Sequence, residues 1–132
     1  MSGFIPFSYR DGQPEPWEYL EAGALGTVAV GTALTVSAGV LAKATGEARP
    51  SYICMYGGMV EAGDVIPVIR VHEETVFETE LSVASASAAV GAKYTIDTTG
   101  TMITATTGGP AELVSFDGTA AGDTVRVRFA RE

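Results

Sequence analysis

Cysteine and histidine are scarce in this chain, and their scarcity removes several kinds of site. The 132 residues include one cysteine, Cys54, and one histidine, His72, which excludes an internal disulfide and a zinc site built from several cysteines or histidines. Cys54 lies in the stretch Tyr-Ile-Cys-Met-Tyr and is predicted to be a small buried hydrophobe. His72 precedes two glutamates, but neighbouring side chains on a strand point to opposite faces, so we interpret it as a residue at a strand end. We predict no metal and no cofactor.

Basic residues are also few. Eight Lys and Arg stand against sixteen Asp and Glu, which gives a net charge of −8 and a pI near 4.5. Nucleic-acid binding needs a basic footprint, so this class of function is disfavoured. An acidic surface favours solubility or a basic partner.

A membrane-spanning helix is not indicated. Residues 22–42 carry no charge, but they hold four Gly and four Thr or Ser in mostly alternating order, whereas a spanning helix needs about 20 predominantly apolar residues. The first residues, M-S-G-F-I-P-F-S-Y-R-D, show no basic region followed by an apolar core, so no secretion signal is expected. We predict strands in residues 22–42 and no membrane partner.

Signatures of catalysis are missing too. The chain has no Gly-x-Ser-x-Gly elbow, and its single histidine would have to serve any triad. The Gly-rich stretch at residues 106–109 lacks the Lys of a phosphate-binding loop. Asp64 and Asp123 look like a carboxylate pair, but each follows a Gly in a turn, so we interpret both as turn residues. The prediction is a protein that is not an enzyme.

The chain is rich in β-branched residues that follow turns of small residues, and this pattern occurs twice. V-E-A-G-D-V-I-P-V-I-R-V at residues 60–71 is echoed by A-A-G-D-T-V-R-V-R-F at residues 120–129. The echo extends to a duplication of residues 24–73 and 84–132. The alignment sets Gly31 on Gly91, Pro50 on Pro110, Ile53 on Leu113 and Val68 on Val127.

Each repeat is predicted to contain four strands. A hairpin (residues 32–36 with 40–44, and 93–97 with 101–105) is followed by a third strand (52–56, 112–116), a Gly-Asp turn and a last strand. Residues 74–83 alternate and predict one further strand between the repeats. The strand after Asp64 is expected to be covered on both faces, with Pro67 marking an edge or a bulge. Eight or nine short strands predict an all-β fold, a compact barrel or sandwich, over residues 23–132.

Residues 1–22 differ from the rest and are predicted to form an extended arm, called the arm below. Prolines at positions 6, 14 and 16 forbid a regular helix or central strand. Large apolar side chains are interleaved with them, and they must be buried somewhere. Two interpretations stay open: the arm folds back over its own barrel, or it reaches a neighbouring subunit or a larger surface. For the second, the candidate interface residues are Phe4, Ile5, Phe7, Tyr9, Trp17 and Tyr19.

Four stretches carry a resemblance to a known family: V-G-T-A-L-T-V-S-A-G-V-L-A-K-A, A-R-P-S-Y-I-C-M, E-A-G-D-V-I-P-V-I-R-V and D-G-T-A-A-G-D-T-V-R-V-R-F. In these patterns the chain resembles the capsid decoration, or cement, proteins encoded next to the major capsid protein of bacteriophages and prophages. The resemblance implies a virion structural protein, made in the bacterial cytoplasm, that binds the outer capsid surface and stabilises contacts between capsomers. It also implies the major capsid protein as partner and self-association, as a trimer in some decoration proteins.

Two alternatives remain at this point. The chain could be another virion module, of a tail or fibre, or a small-ligand-binding β-barrel. The first would place it on tails instead of shells, and the second predicts a monomer with a deep pocket and an arm docked on its own body.

Overall fold

The computed structural model describes residues 3–9, 12 and 14–129 of the chain. These residues form thirteen β-strands and no helix, so the predicted all-β fold is confirmed. Within this part of the chain there is consequently no helix of the length and hydropathy that crossing a bilayer requires. The strands, in chain order, are β1 (Ile5–Ser8), β2 (Glu18–Glu21), β3 (Gly26–Val28), β4 (Ala33–Ser37), β5 (Val40–Lys43), β6 (Tyr52–Cys54), β7 (Gly58–Val60), β8 (Val65–Arg70), β9 (Val76–Glu80), β10 (Lys93–Ile96), β11 (Ile103–Thr107), β12 (Ala111–Phe116) and β13 (Thr124–Phe129).

Two antiparallel sheets contain most of these strands, and they have the same order. The first sheet runs β2-β8-β6-β4-β5, and the second runs β9-β13-β12-β10-β11 with β1 added outside β9. A small third sheet pairs β3 with β7. The two large sheets match strand for strand, with β2 in the place of β9. The segment predicted to join the repeats therefore supplies a fifth strand to the second sheet, as β2 does to the first.

Both sheets curl until their edges meet at an equivalent bridge. Ala22, just after β2, forms a parallel bridge with Leu41 of β5, and Leu81, just after β9, forms one with Ile103 of β11. The supporting hydrogen bonds also match: the Gly23 N–H donates to the Leu41 carbonyl at 3.0 Å, and the Ser82 N–H donates to the Ile103 carbonyl at 2.9 Å. Each sheet is thus closed into a small barrel.

The Gly-Asp turns have the role predicted from the sequence. One carboxylate oxygen of Asp64 accepts the Glu61 N–H at 2.9 Å, and Asp123 accepts the Ala120 N–H at 3.0 Å in the same way. A side chain that closes its own turn in this manner sets the direction of the strand that follows. The two aspartates are turn residues of β8 and β13.

Strand pairing corrects the alignment of the third strands by one residue. Tyr52 lies opposite Leu34, while Ala111 lies opposite Tyr94, so the equivalent of Tyr52 is Ala111. It follows that Ile53 corresponds to Glu112, not to Leu113 as aligned from the sequence. A shift of one residue exchanges the two faces of a strand. The one-residue misalignment therefore assigns the wrong side chain to the barrel interior.

Buried side chains form two clusters. The smaller one fills the first barrel and contains Ala22, Val28, Leu34, Leu41, Cys54, Val60, Ile66 and Val68. The larger one fills the second barrel and continues under the first sheet, where it includes Ala33, Ala44, Ile53, Ile69 and Val71. Since β8 contributes to both clusters, the expectation that it is covered on both faces is correct. The expectation that Pro67 marks an edge or a bulge is wrong, because β8 lies between β2 and β6 and pairs with both in regular register.

Candidate functional site

The described residues of the predicted arm are hydrogen-bonded into the two sheets. Strand β1 is the outermost strand of the second sheet, with Ile5 opposite Glu78 of β9. Strand β2 is the outermost strand of the first sheet, with Tyr19 opposite Pro67 of β8. Of the candidate interface residues, Ile5, Phe7 and Tyr19 therefore lie on edge strands of two different sheets and not on one separate extension.

Phe4 does not belong to the surface. Its side chain is fully buried, and its ring meets that of Phe129 edge to face at a centroid distance of 5.1 Å. Its N–H donates to the Gly31 carbonyl at 2.8 Å. Because this side chain is enclosed by the core of its own chain, Phe4 is removed from the set of interface anchors.

Ile5 and Phe7 remain on the surface, and an arginine holds Phe7 in place. The two side chains are 45% and 56% exposed. The Arg126 guanidinium lies 4.9 Å from the centroid of the Phe7 ring, and it donates to Asp117 at 3.0 Å and to Glu78 at 3.2 Å. The hydrogen bond to Asp117 raises the pKa of Arg126 above its usual value. The Arg126 guanidinium therefore stays charged at all ordinary pH values and ties β1 to the strands beside it.

Tyr9 follows β1 and is half-buried. Desolvation by burial, followed by the charge of Glu15, raises the pKa of its hydroxyl above the usual 10.0. Tyr9 is therefore a neutral phenol at physiological pH, with part of its ring available for contact.

Trp17 and Tyr19 are two further aromatic side chains on the surface. They are 55% and 63% exposed, and alternation along the strand directs both to the same face. Between them Glu18 accepts two hydrogen bonds from Arg70, at 3.0 and 3.1 Å. Arg70 also lies over the ring of Tyr52, 5.2 Å from its centroid. The two aromatic rings thus project from an edge strand that is fixed from the other face.

The residues that invited a metal or redox hypothesis have structural positions. His72 comes after β8, and its Nε2 lies 3.2 Å from a carboxylate oxygen of Glu15 on the surface. Across the described residues, no group of three His, Cys, Asp or Glu is arranged to hold a metal ion. Cys54 is buried as predicted. Burial raises the pKa of its thiol, which donates to the Tyr56 carbonyl at 3.1 Å.

One apolar feature was missed from the sequence. An open groove of about 450 Å³ runs between the start of the chain and the third sheet, and it is lined by Gly3, Ile5, Thr27, Val28, Ala29, Val30, Gly57 and Gly58. Val30 is exposed there. The groove depends on close backbone contact, since a Cβ on Gly31 would lie 2.7 Å from the Phe4 nitrogen. Only the glycine pattern could have signalled it.

Comparison with known protein families and with curated proteins finds no match for this chain. The geometry itself offers exposed aromatic and aliphatic side chains, fixed on edge strands of a well-packed body. Such side chains are suited to contacts with other proteins, because rigid aromatic rings contribute large contact areas at low entropic cost.

Proposed function

We propose that this chain is a virion structural protein that binds the outer surface of a phage capsid and stabilises contacts between capsomers. The observation that carries the proposal is the display of Ile5, Phe7 and Tyr19 on the outermost strands of two different sheets, with Trp17 exposed directly before β2. Together with the resemblance of residues 26–129 to decoration proteins, this gives a compact body with apolar anchors in two places. A protein that bridges two capsomers needs such an arrangement.

The ion pairs beside these anchors support the same function. Arg70 with Glu18 connects the edge strand β2 to β8, and Arg126, which lies over the Phe7 ring of the edge strand β1, is paired with Glu78 of β9. A load transmitted through Trp17 or Phe7 is thereby passed to the sheets. A cement protein resists outward pressure on the shell, so its contact residues must be anchored in this way.

Sedimentation of a native phage lysate through a density gradient tests the proposal. We expect the protein to migrate with full-sized capsids in a fixed ratio to the major shell protein. Migration with isolated tails would move the assignment to a tail or fibre module. Recovery only at the top of the gradient, as a small free protein, would overturn the proposal in favour of ligand binding.

Substitutions of exposed residues test, in the same assay, which part of the surface binds the capsid. The double change Trp17→Ala with Tyr19→Ala removes two aromatic anchors, each worth about 2 kcal/mol if it is a hot spot, so capsid affinity should fall at least about 30-fold. Val90→Ala, at an exposed valine between β9 and β10, is the matched control and should bind normally. Removal of residues 1–20 is unsuitable as a test, because it also takes away buried Phe4 and strand β2.

A further inference from the structure

No strand among the described residues takes, in the first sheet, the position that β1 has in the second. Glu18 of β2 lies opposite Val68, and Phe77 of β9 lies opposite Val127; Val68 and Val127 are equivalent. Tyr19 therefore corresponds to Glu78, the residue that pairs with Ile5 of β1. Among the described residues no strand pairs with the outer edge of β2 at Trp17–Tyr19, and β5 meets this edge only beyond it, at Ala22. The first sheet thus has five strands where the second has six.

The backbone at this edge is oriented to accept a strand. The carbonyl of Pro67 accepts the N–H of Met55 at 2.9 Å and so points toward β6. In an antiparallel pair, opposite residues direct their backbone groups alternately toward and away from each other. Tyr19, opposite Pro67, consequently directs its N–H and C=O outward, away from β8. An outward donor and acceptor on an edge strand form a template for strand addition.

The side chains around this edge indicate the chemistry of the occupant. Trp17 and Tyr19 offer aromatic contact on one face, and Val65 on β8 is exposed beside them. The charges are acidic: Glu15, Glu18 and Glu21 lie along the segment, beside the Arg70 guanidinium, which pairs with Glu18, and the His72 ring, which lies 3.2 Å from Glu15. The chain as a whole carries −8.

A second copy of the chain fits this edge poorly. Antiparallel pairing of two copies over residues 17–19 would bring Trp17 against Tyr19 but would also set Glu18 opposite the partner's Glu18. Like charges directly opposite one another are destabilising. A basic segment has the complementary charge.

We propose that the outer edge of β2 at Trp17–Tyr19 accepts an extended segment of another protein, one that alternates basic and apolar side chains, as a sixth strand of the first sheet. Its apolar side chains pack on Trp17 and Tyr19, and its basic side chains lie on the opposite face, near Glu18. That the segment belongs to a capsid shell protein rests on the proposed function; the acceptor edge itself does not.

Trp17 reports on this edge, because it is the only tryptophan of the chain. The probe is the peptide acetyl-Arg-Val-Arg-Phe-Arg-Val-amide, titrated into the intact protein at low ionic strength while Trp17 emission is followed. We expect a saturable blue shift as the indole leaves water. The same peptide with Glu in place of Arg should bind about tenfold more weakly, since it loses the exposed charge contacts with the acidic edge. The difference should shrink in high salt.

Two further changes distinguish strand addition from non-specific hydrophobic binding. N-methylation of alternate peptide nitrogens removes the backbone donors and should abolish the blue shift. Tyr19→Pro removes the outward N–H of the edge and is compatible with an outermost strand; it should weaken peptide binding at least about tenfold, whereas Val90→Ala should leave it unchanged. Folding of both variants is checked by circular dichroism and thermal melting.

The outcomes distinguish this inference from the proposed function. No saturable shift with either peptide, or equal binding by the Arg and Glu peptides, overturns the acceptor edge even if the protein sediments with capsids. Selective binding of the Arg peptide, lost in Tyr19→Pro, supports the acceptor edge even if no capsid association is found. If Tyr19→Pro fails to fold, Tyr19→Ala combined with the N-methylated peptide decides the question.

Discussion

One row of side chains crosses both sheets at equivalent positions, and its chemistry is opposite in the two. In the first sheet the row is Ala33, Ile53 and Ile69, all buried. In the second it is Lys93, Glu112 and Arg128, with Arg128 donating to Glu112 at 2.9 Å. The backbone order is the same in both sheets. What differs is the neighbour: the first row packs on the larger buried cluster, and the second row faces water.

The comparison shows that a repeated strand pattern leaves the outer face of each sheet free to vary. The inner faces keep their apolar character, as Val68 and Val127 or Leu41 and Ile103 show, because each barrel must fill its own interior. The outer face depends on which unit covers it. Four changes, in order of decreasing effect, test this difference.

Exchange of the row residues should have the largest effect. Ile53→Glu places an unpaired carboxylate in the core, and we expect the free energy of unfolding to fall by about 4 kcal/mol or more. The reciprocal change, Glu112→Ile, removes the ion pair with Arg128 on the outer face and should cost no more than about 1 kcal/mol. Urea denaturation of both variants measures the difference. Similar losses in the two variants would contradict the assignment of faces.

Phe4→Ala should be next. The change removes a fully buried ring from the cluster around Phe129, so the free energy of unfolding should fall by about 3–5 kcal/mol. Phe7→Ala, in the same segment but on the surface, is the control and should cost much less. Thermal and urea unfolding give both values. Equal effects would mean that Phe4 does not anchor the start of the chain to the second barrel.

A smaller effect is expected at the hairpin that joins β4 and β5. Ala38 has a positive φ of 52° and precedes Gly39 with a φ of 84°, a pair of values typical of a two-residue hairpin turn that favours Asn-Gly. Ala38→Asn should raise the free energy of unfolding by about 0.5–1 kcal/mol. The equivalent turn before β11 is longer and offers no such position. A decrease in stability would exclude this turn geometry.

The last prediction concerns pH and the two barrel interiors. Cys54 in the first barrel corresponds to Leu113 in the second, so only the first interior contains a thiol that can ionise. Burial raises the pKa of Cys54 above its ordinary 9.0. The unfolded chain therefore loses this proton at lower pH than the folded protein does. The resulting contribution to stability is complete below about pH 9 and declines as the pH rises toward the folded pKa.

Comparison with Cys54→Val isolates this contribution. Unfolding free energies of the two proteins are measured at about pH 7 and about pH 10. The advantage of the unchanged protein over the variant should decrease at the higher pH, while tyrosine ionisation affects both equally. A difference that does not change with pH would mean that the folded environment leaves the thiol pKa unshifted.

Much of the fold could be predicted from the sequence because its strongest signals are local. The Gly-Asp turns identified β8 and β13, and the alternation of Val125, Val127 and Phe129 identified their inner face. The third strands were aligned one residue out, because Ile53 and Leu113 are both apolar although they lie on opposite faces. Strands β3 and β7 have three residues each, too few to show a period.

The candidate site was predictable in composition but not in position. Phe4 and Phe7 are both aromatic residues beside Pro6, and no local pattern separates them. Contacts with Phe129 and Arg126, more than a hundred positions along the chain, place one in the core and the other on the surface. The acceptor edge of β2 required knowledge of strand order, which depends on the same long-range pairing.

The order of the strands also affects how the protein is made. All strands of the first sheet have left the ribosome once residue 70 is clear of the exit tunnel, whereas the second sheet needs β13, the last strand, between β9 and β12. During that interval the first barrel can form, but Ala33, Ile53 and Ile69 lack their cover. During synthesis this apolar row is therefore accessible to aggregation or to chaperone binding. It stays so until residues 71–129 have been translated and the second sheet has formed.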